Sequence, residues 1–575
     1  MSLKKHCLPL VFFFFFSLLG YSQFFLNLDF EETIADSRNP RKWNLYNKGY
    51  DVEVDSLVSF NKNASLRIID SDSIKKSPFI AVLKIPPALV KTDSLSIKAN
   101  IKIEENATGF AGIWIRGINT RSENLFYKNS ISQPVARDNK WHEVSLSIQI
   151  PADTDDITFG IIAKGFGTYW IDNLEITVNN KSFIDKNLSV RIPHKSEIAW
   201  LNKVIRPIRS LNEDGTLNDF SFLENFVNNK KIVALGEASH GTSEIFILKH
   251  QIIRYLVEEM NFDQFLMEAP LLEAEKMKEC FKSEKCDSLD LANTLIYWTW
   301  NTKEMKDLMQ WIKEFNKNES TNINFAGFDV QGYRLAGSLL SEYTKGKELD
   351  SLKSILQWID RSTSSKDQLN NYNLFKIVAK DIQNQIITSK LSNEIKDKLQ
   401  LSLKLIDQYL EFKTARSSRD RNMAENVKYH VDREKPNGTI LWAHNGHIKQ
   451  TGESMGRFLA EEYGEDYVNI GFAYHDGFYN TRKNSKIHAV KSQASFPGTY
   501  EYFFKQANSP VFFINLRDLR KNDKNKWLFE FLEFRVAGAS YQADEFFNTD
   551  LVKDFDGIIF INTSTPSHLL QQEAD

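Results

Sequence analysis

The chain has 575 residues, of which 42% are hydrophobic and 26% charged, so it can bury more than one core and is expected to fold into two or three domains. Its 72 basic and 75 acidic residues leave a net charge of only -3 with no long basic block, which removes the electrostatic footprint of a nucleic-acid-binding protein.

Met1 to Ser22 places Lys4 and Lys5 ahead of the apolar run from Leu8 to Leu19, followed by small or polar residues, the layout of a secretory signal peptide. Cleavage near Ser22-Gln23 predicts an exported protein, periplasmic, at the cell surface or extracellular. The run falls short of the roughly 20 apolar residues that cross a bilayer, so no stable membrane span is expected and an uncleaved anchor is the weaker alternative. No cysteine stands at the cleavage region to carry a lipid. Of the three cysteines, Cys7 leaves with the leader, and Cys280 and Cys286 either pair as a local staple or do nothing.

Residues 23–180 read as short alternating segments broken by Asn, Asp, Gly and Pro, among them Ala64-Ser65-Leu66-Arg67-Ile68, Ala111-Gly112-Ile113-Trp114-Ile115 and Glu143-Val144-Ser145-Leu146-Ser147-Ile148. This is the grammar of an all-β sandwich. Its opening Leu28-Asp29-Phe30-Glu31 and closing Tyr169-Trp170-Ile171-Asp172-Asn173-Leu174-Glu175-Ile176 resemble the first and last strands of jelly-roll, carbohydrate-binding-like modules. Trp114, Trp141 and Trp170 are the tryptophans available to stack on a sugar ring. Large aromatics are usually well buried, so they are expected to fill the core between the sheets, with glycan binding as the alternative.

After a polar connector near residues 179–194, the pattern over 195–575 changes to apolar runs separated by helix-length amphipathic stretches. Candidate strands are Ile232 to Leu235, Gln264 to Met267, Ile323 to Gly327, Thr439 to Ala443, Tyr467 to Gly471, Val511 to Asn515 and Gly557 to Ile561. Runs apolar on both faces and alternating with helices predict an α/β domain with a mostly parallel sheet. From Thr242 to Met260, Ile245, Leu248, Ile252 and Leu256 recur at helical spacing. Residues 348–431 lack a strand-like run and predict a helical insertion that caps the sheet edge.

Glu237, His240, Glu268, Asp329, His444 and His447 all fall at or just past the ends of four of these strands, and parallel strands end on one edge of a sheet, where open α/β folds keep their chemistry. One buried His or Glu alone is more often a hydrogen-bonded core residue. Convergence of six is what points to an enzyme. An imidazole held by a carboxylate takes a proton from water near neutral pH, so Glu237 or Glu268 orients His240 while His444 and His447 serve an oxyanion or a leaving alcohol. No cofactor is needed for that chemistry. The alternative is a divalent metal drawn from His240, Glu237, Glu268, His444 and His447, which have the ligand types of a catalytic zinc site. Gly452-Glu453-Ser454-Met455-Gly456 fits the nucleophile-elbow spacing, but no strand runs directly into it, so Ser454 reads as a helix cap.

Gly236-Glu237-Ala238-Ser239-His240-Gly241-Thr242, Leu256-Val257-Glu258-Glu259, Met267-Glu268-Ala269, Arg419-Asp420-Arg421-Asn422-Met423-Ala424-Glu425-Asn426 and Trp442-Ala443-His444-Asn445-Gly446-His447 resemble the signatures of the erythromycin esterase family. The late Phe555-Asp556-Gly557-Ile558-Ile559-Phe560-Ile561 fits its last strand, so the resemblance spans about residues 195–570. It implies an esterase that opens a macrolide lactone by water attack, as in antibiotic resistance, with His240 as general base and active-site roles for Glu237, Glu268, His444 and His447. Some members are metal-independent and others sensitive to chelators, which leaves the metal alternative open. Lys249, Asp329, Asn445 and Arg421 are the expected substrate contacts. Lys249 stands where macrolide-hydrolysing relatives carry an arginine, so the bidentate fork is lost. The extra sandwich is a second departure and points toward an ester attached to a glycan. A non-catalytic binding protein for a small molecule or glycan is the competing class.

Overall fold

The computed structural model describes residues 26–570 apart from 34–37, 47–48, 71–76, 86–89, 91, 120–122, 155, 184–192, 212–216, 283–296, 318–321, 362–364, 415, 484, 518, 531 and 543–544. The leader expected at 1–22 and any pairing of Cys280 with Cys286 lie outside the described residues.

Two antiparallel sheets make the N-terminal sandwich. One orders its strands Asn44–Tyr46, Phe79–Ile85, Asp156–Lys164, Phe110–Ile118, Asn124–Asn129; the other orders them Asp51–Asp55, Ser65–Asp70, Gly167–Val178, Ser94–Ile103, Trp141–Gln149. The central strands alternate, with apolar side chains on their inner side. In Phe79–Ile85 the buried positions are Phe79, Ala81, Leu83 and Ile85, and Lys84 between them is exposed. Trp114, Trp141 and Trp170 are half-buried and belong to no core, contrary to expectation. Alternation explains it: Trp114 lies between buried Ile113 and Ile115, and Trp170 between buried Tyr169 and Ile171, so both rings point outward. Phe30, Trp43, Phe159 and Tyr169 fill the centre instead.

In the C-terminal domain all seven expected strands join one sheet, in the order Arg206–Pro207, Val511–Asn515, Gly557–Ser564, Tyr467–Lys483, Ile232–Leu235, Thr439–Trp442, Gln264–Pro270, Asn324–Asp329. The pairings from Gly557–Ser564 to Asn324–Asp329 are parallel, and Val511–Asn515 runs antiparallel at the other side. Every residue of Ile232–Leu235, Gln264–Pro270 and Thr439–Trp442 is buried, as expected for a sheet covered on both faces. Val233, Leu235, Phe265, Met267 and Trp442 pack on one face, and Ala234, Leu266, Leu441 and Ala443 on the other.

Register decides where the polar residues emerge. Leu235, Trp442, Met267 and Gly327 are aligned across four adjacent strands, so the residues following them leave the sheet at one level. Helices Lys347–Arg361, Ser365–Thr388 and Asn393–Lys413 share a core with Leu271, Leu272 and Val330, which directly follow two of these strand ends. The helical layer therefore sits over the C-terminal edge. Helix Arg419–Glu434 runs on into Thr439–Trp442 and carries its first residues to the same edge. Among the described residues no helix is long and apolar enough to cross a membrane.

Candidate active site

Where Ile232–Leu235 ends, a side chain at Gly236 would place its Cβ 2.1 Å from Asn445 Oδ1, so only glycine lets the two loops meet. Glu237 follows, fully buried. His240 Nδ1 lies 2.6 Å from Glu237 Oε1, while Glu237 Oε2 accepts from Lys249 Nζ at 3.0 Å and from Trp442 Nε1 at 2.8 Å. Burial alone would raise the Glu237 carboxyl; Lys249 and then His240 outweigh it and hold it below the usual carboxylate range. Burial pushes the Lys249 ammonium down to about 8, with Glu237 opposing. Near neutral pH the two form an ion pair. A carboxylate on Nδ1 makes that nitrogen the donor and leaves the lone pair on Nε2 of His240. The imidazole side chain is 12% exposed.

A second cluster lies across the strand ends. Arg419 grips Asp329 through Nε and Nη2, each at 2.9 Å, and the same Nη2 donates to Glu268 Oε1 at 2.9 Å. Glu268 Oε2 accepts the backbone N–H of His444 at 3.0 Å. His447 Nδ1 is 2.8 Å from Asp420 Oδ1, and its Nε2 is 3.3 Å from Glu268 Oε1. Burial opposes charge on His447, but Glu268 and Asp420 overcome it and push the imidazolium up to about 10. Burial would likewise raise Glu268, yet His447 and Arg419 hold it well below its ordinary value. Arg419 Nη1 stands 3.2 Å from His447 Nε2, so two cations abut and share one carboxylate.

His444 behaves differently. Its Nδ1 accepts the Gly446 N–H at 3.2 Å as the cap of helix Asn445–Ile448, and its Nε2 lies 3.3 Å from the Ala537 carbonyl. Burial, then the neighbouring His240 and His447, push it down to about 3. It stays neutral, with both nitrogens engaged and its ring 4.9 Å from that of His240. In this arrangement both nitrogens of His444, the expected donor to an oxyanion or a leaving group, face backbone groups.

Glu237, His240, Glu268, Asp329, His444 and His447 are thus brought together as the strand ends implied. Glu237, not Glu268, orients His240. The four residues expected to contact substrate have these partners in the structure. Lys249 is fully buried behind Glu237, so its difference from arginine concerns that carboxylate rather than a substrate. Asp329 is fully buried under Arg419. Asn445 spends its amide on the backbone of Phe472, donating to the carbonyl at 2.7 Å and accepting the N–H at 3.1 Å. Arg421 points away from the cluster and stacks 4.3 Å from the Phe458 ring. Ser454 caps helix Met455–Tyr463 and donates to the Lys449 carbonyl at 2.6 Å, a cap and not a nucleophile.

Arg419, Asp420, Trp442 and the Ala537 carbonyl are site groups that sequence reasoning passed over. A signal existed for the first. Arg419 is followed at helical spacing by Asn422, Met423, Asn426 and His430, all buried, which places it on the inward face, whereas Arg421 falls with exposed Glu425.

The donor set does not fit a resident metal. Both oxygens of Glu237 and of Glu268, and both nitrogens of His444 and His447, already have protein partners, and two cations, Lys249 and Arg419, fill the positions a metal's charge would take. Among the described residues no group of three or more His, Cys, Asp or Glu is arranged to hold an ion.

Fold and site together define an α/β protein with a histidine–carboxylate dyad and a network of buried ion pairs at the C-terminal edge of its sheet. The erythromycin esterase profile matches residues 257–564, more than half of the chain, and the protein belongs to that family. The matched stretch holds Glu268, Asp329, Arg419, His444 and His447 and begins beyond Glu237 and His240. An erythromycin esterase type II from Escherichia coli is 23% identical over 431 residues, covering 65% of this chain and 99% of the relative. Among solved structures, a Bacillus cereus protein is 25% identical with a TM-score of 0.56, covering 66% of this chain and 100% of its own. A histidine variant of the erythromycin esterase EreC in its open conformation is 19% identical with a TM-score of 0.50, covering 64% and 99%. Membership makes this chain a hydrolase of the erythromycin-esterase type.

Proposed function

We propose that this protein is an exported hydrolase that cleaves an ester or lactone with water activated by His240. The observation that carries the reading is the division of labour in the dyad: Glu237 fixes Nδ1 of His240 at 2.6 Å and is itself held by Lys249 and Trp442, which leaves Nε2 as a base. Water attacks the acyl carbon as its proton passes to His240 Nε2. Glu237 stabilises the imidazolium that forms. The charge that develops on the carbonyl oxygen faces Arg419 Nη1, the guanidinium nitrogen not used on Asp329 or Glu268. When the tetrahedral intermediate collapses, the acyl C–O bond breaks and His240 returns its proton to the departing alkoxide. One water is added and no acyl-enzyme forms.

The test is mass spectrometry of erythromycin incubated with protein lacking residues 1–22, beside His240→Ala. Gain of one water with wild type alone supports the reading, and equal turnover by the variant refutes it. Trp114 and Trp170, outward-facing on the sandwich, favour as a second reading a natural substrate whose ester is attached to a glycan. Absence of turnover on the macrolide alongside release of acid from an acylated oligosaccharide would select it. Residues 1–22 carry the export proposal, which intact-mass analysis of the secreted protein checks.

A further inference from the structure

The N-terminal sandwich reaches the catalytic domain through Lys42. Its backbone is left-handed, φ +73°, a region uncommon for a residue with a side chain. Neighbouring bonds hold it there: the Arg41 N–H donates to the Glu32 carbonyl at 3.0 Å, Asn27 Nδ2 donates to the Arg41 carbonyl at 2.9 Å, and Trp43 Nε1 donates to the Asn27 carbonyl at 3.0 Å. The turn sends the lysine out of the sandwich. Its Nζ lies 3.0 Å from Glu533 Oε1 and donates to the Phe546 carbonyl at 2.9 Å, with the two ion-pair side chains 9% and 6% exposed. Beside it the Arg41 guanidinium stands 5.5 Å from the centre of the Phe496 ring.

Glu533 belongs to strand Leu532–Arg535, which pairs with Phe546–Thr549. Arg535 at its end is fully buried and donates to the carbonyls of Tyr474, His475 and Gln493, so the strand is rigidly seated. Two residues on, Ala537 donates its N–H to the Ala238 carbonyl at 2.8 Å and receives His444 Nε2 on its own carbonyl at 3.3 Å. Ala238 is two residues from His240. A five-residue stretch from Glu533 to Ala537 thus joins the domain contact to both histidine loops. Burying an ion pair costs desolvation that packing alone would avoid, so a buried pair between domains fits a need for fixed geometry.

We propose that Lys42 is a positioning residue of the active site: the sandwich, pinned through Lys42 to Glu533, sets the 533–537 segment against which the His240 and His444 loops are held. The kinetic side of this rests on the esterase reading. The structural side does not.

The experiment compares the mature full-length protein with Lys42→Met, Lys42→Arg and Glu533→Gln by amide hydrogen exchange and by kinetics on a hydrolysed ester. Lys42→Met is expected to raise deuterium uptake in peptides covering 236–241 and 532–541. It should lower kcat by roughly tenfold to a hundredfold at unchanged KM, the penalty of misplacing a reacting group by about 1 Å. Lys42→Arg should restore both. Glu533→Gln, which keeps the shape, should reproduce the Lys42→Met pattern and stands in for it if that variant does not fold. Uptake in both peptides equal to wild type in Lys42→Met, or a lower kcat that the arginine does not rescue, overturns the proposal. If wild type turns over no ester, the exchange arm still decides it while the esterase reading fails separately.

Discussion

Lys249→Met isolates the charge behind the dyad, because methionine roughly preserves the length and apolar stem of the lysine. In the native protein Nζ lies 3.0 Å from Glu237 Oε2 with neither side chain exposed, and 3.9 Å from the centre of the Trp442 ring. At 3.0 Å and an effective dielectric of about 20 the attraction is about 5.5 kcal/mol, and breaking a buried pair by removing one partner generally costs about 3–5 kcal/mol. The unfolding free energy at pH 7 should fall by that amount. A pH effect follows as well. Burial pushes Glu237 up, and Lys249 is the foremost influence bringing it below 4.5. Because its folded value is depressed, Glu237 contributes stability above about pH 4.5 and loses it as pH falls through the folded value; the variant should lose this contribution. Without the ammonium the Glu237 carboxylate keeps its proton to higher pH, so the acid limb of kcat/KM should move upward. Guanidinium unfolding at pH 5 and 7 with a pH–rate profile measures both. Wild-type stability together with a wild-type acid limb would show that Lys249 is not the counter-ion of Glu237.

Exhaustive dialysis against a chelator should leave ester hydrolysis unchanged, because the carboxylates already have cationic partners; loss of activity restored by Zn2+ would refute this. Arg419→Lys keeps the charge but cannot grip Asp329 at two points and Glu268 at once, so stability should fall by about 1.5–3 kcal/mol and kcat/KM should fall with it. A denaturation curve superposable on wild type would count against the bridge. Glu501 is fully buried, accepts the Arg535 N–H at 2.7 Å on one oxygen and has no hydrogen-bond partner on the other among the described residues, and burial raises it from 4.5 to about 7. A raised carboxyl contributes stability below its unfolded value and loses it as pH rises through the folded value, here from about pH 4.5 through about 7. Wild type should therefore lose on the order of 3 kcal/mol relative to Glu501→Gln between pH 4.5 and 8.5. Parallel pH dependences for the two proteins would contradict it.

The sheet was legible because strands buried on both faces appear as uninterrupted apolar runs, and the site because polar residues interrupt those runs at their ends. Strand direction was not: nothing in Val511-Phe512-Phe513-Ile514 distinguishes antiparallel from parallel, since either partner leaves both faces apolar. Alternation did contain the fate of the tryptophans, as Ile113-Trp114-Ile115 already places the indole opposite two isoleucines, but preference for buried aromatics was given more weight than period. Lys249 illustrates a harder limit. It directly follows Leu248 on the inward face of its helix, and a charge there is intelligible only once Glu237, twelve residues earlier, is seen to meet it.

The same limit governs which histidine can act. His240, His444 and His447 have one side-chain chemistry, and their separation comes from the partners each loop delivers. A carboxylate on one nitrogen orients His240 for the base role proposed for it, two carboxylates make His447 a cation, and a backbone N–H with a backbone carbonyl leaves His444 neutral. Each buried carboxylate that assigns these roles meets a cation besides its histidine, Lys249 for Glu237 and, shared with Asp329, Arg419 for Glu268. Exchange of the two environments would turn the base into a spectator without altering a histidine. In the proposed mechanism the histidine roles are set by the ion pairs behind them, which is why variants at Lys249 and Arg419 probe it more sharply than removal of the histidines themselves.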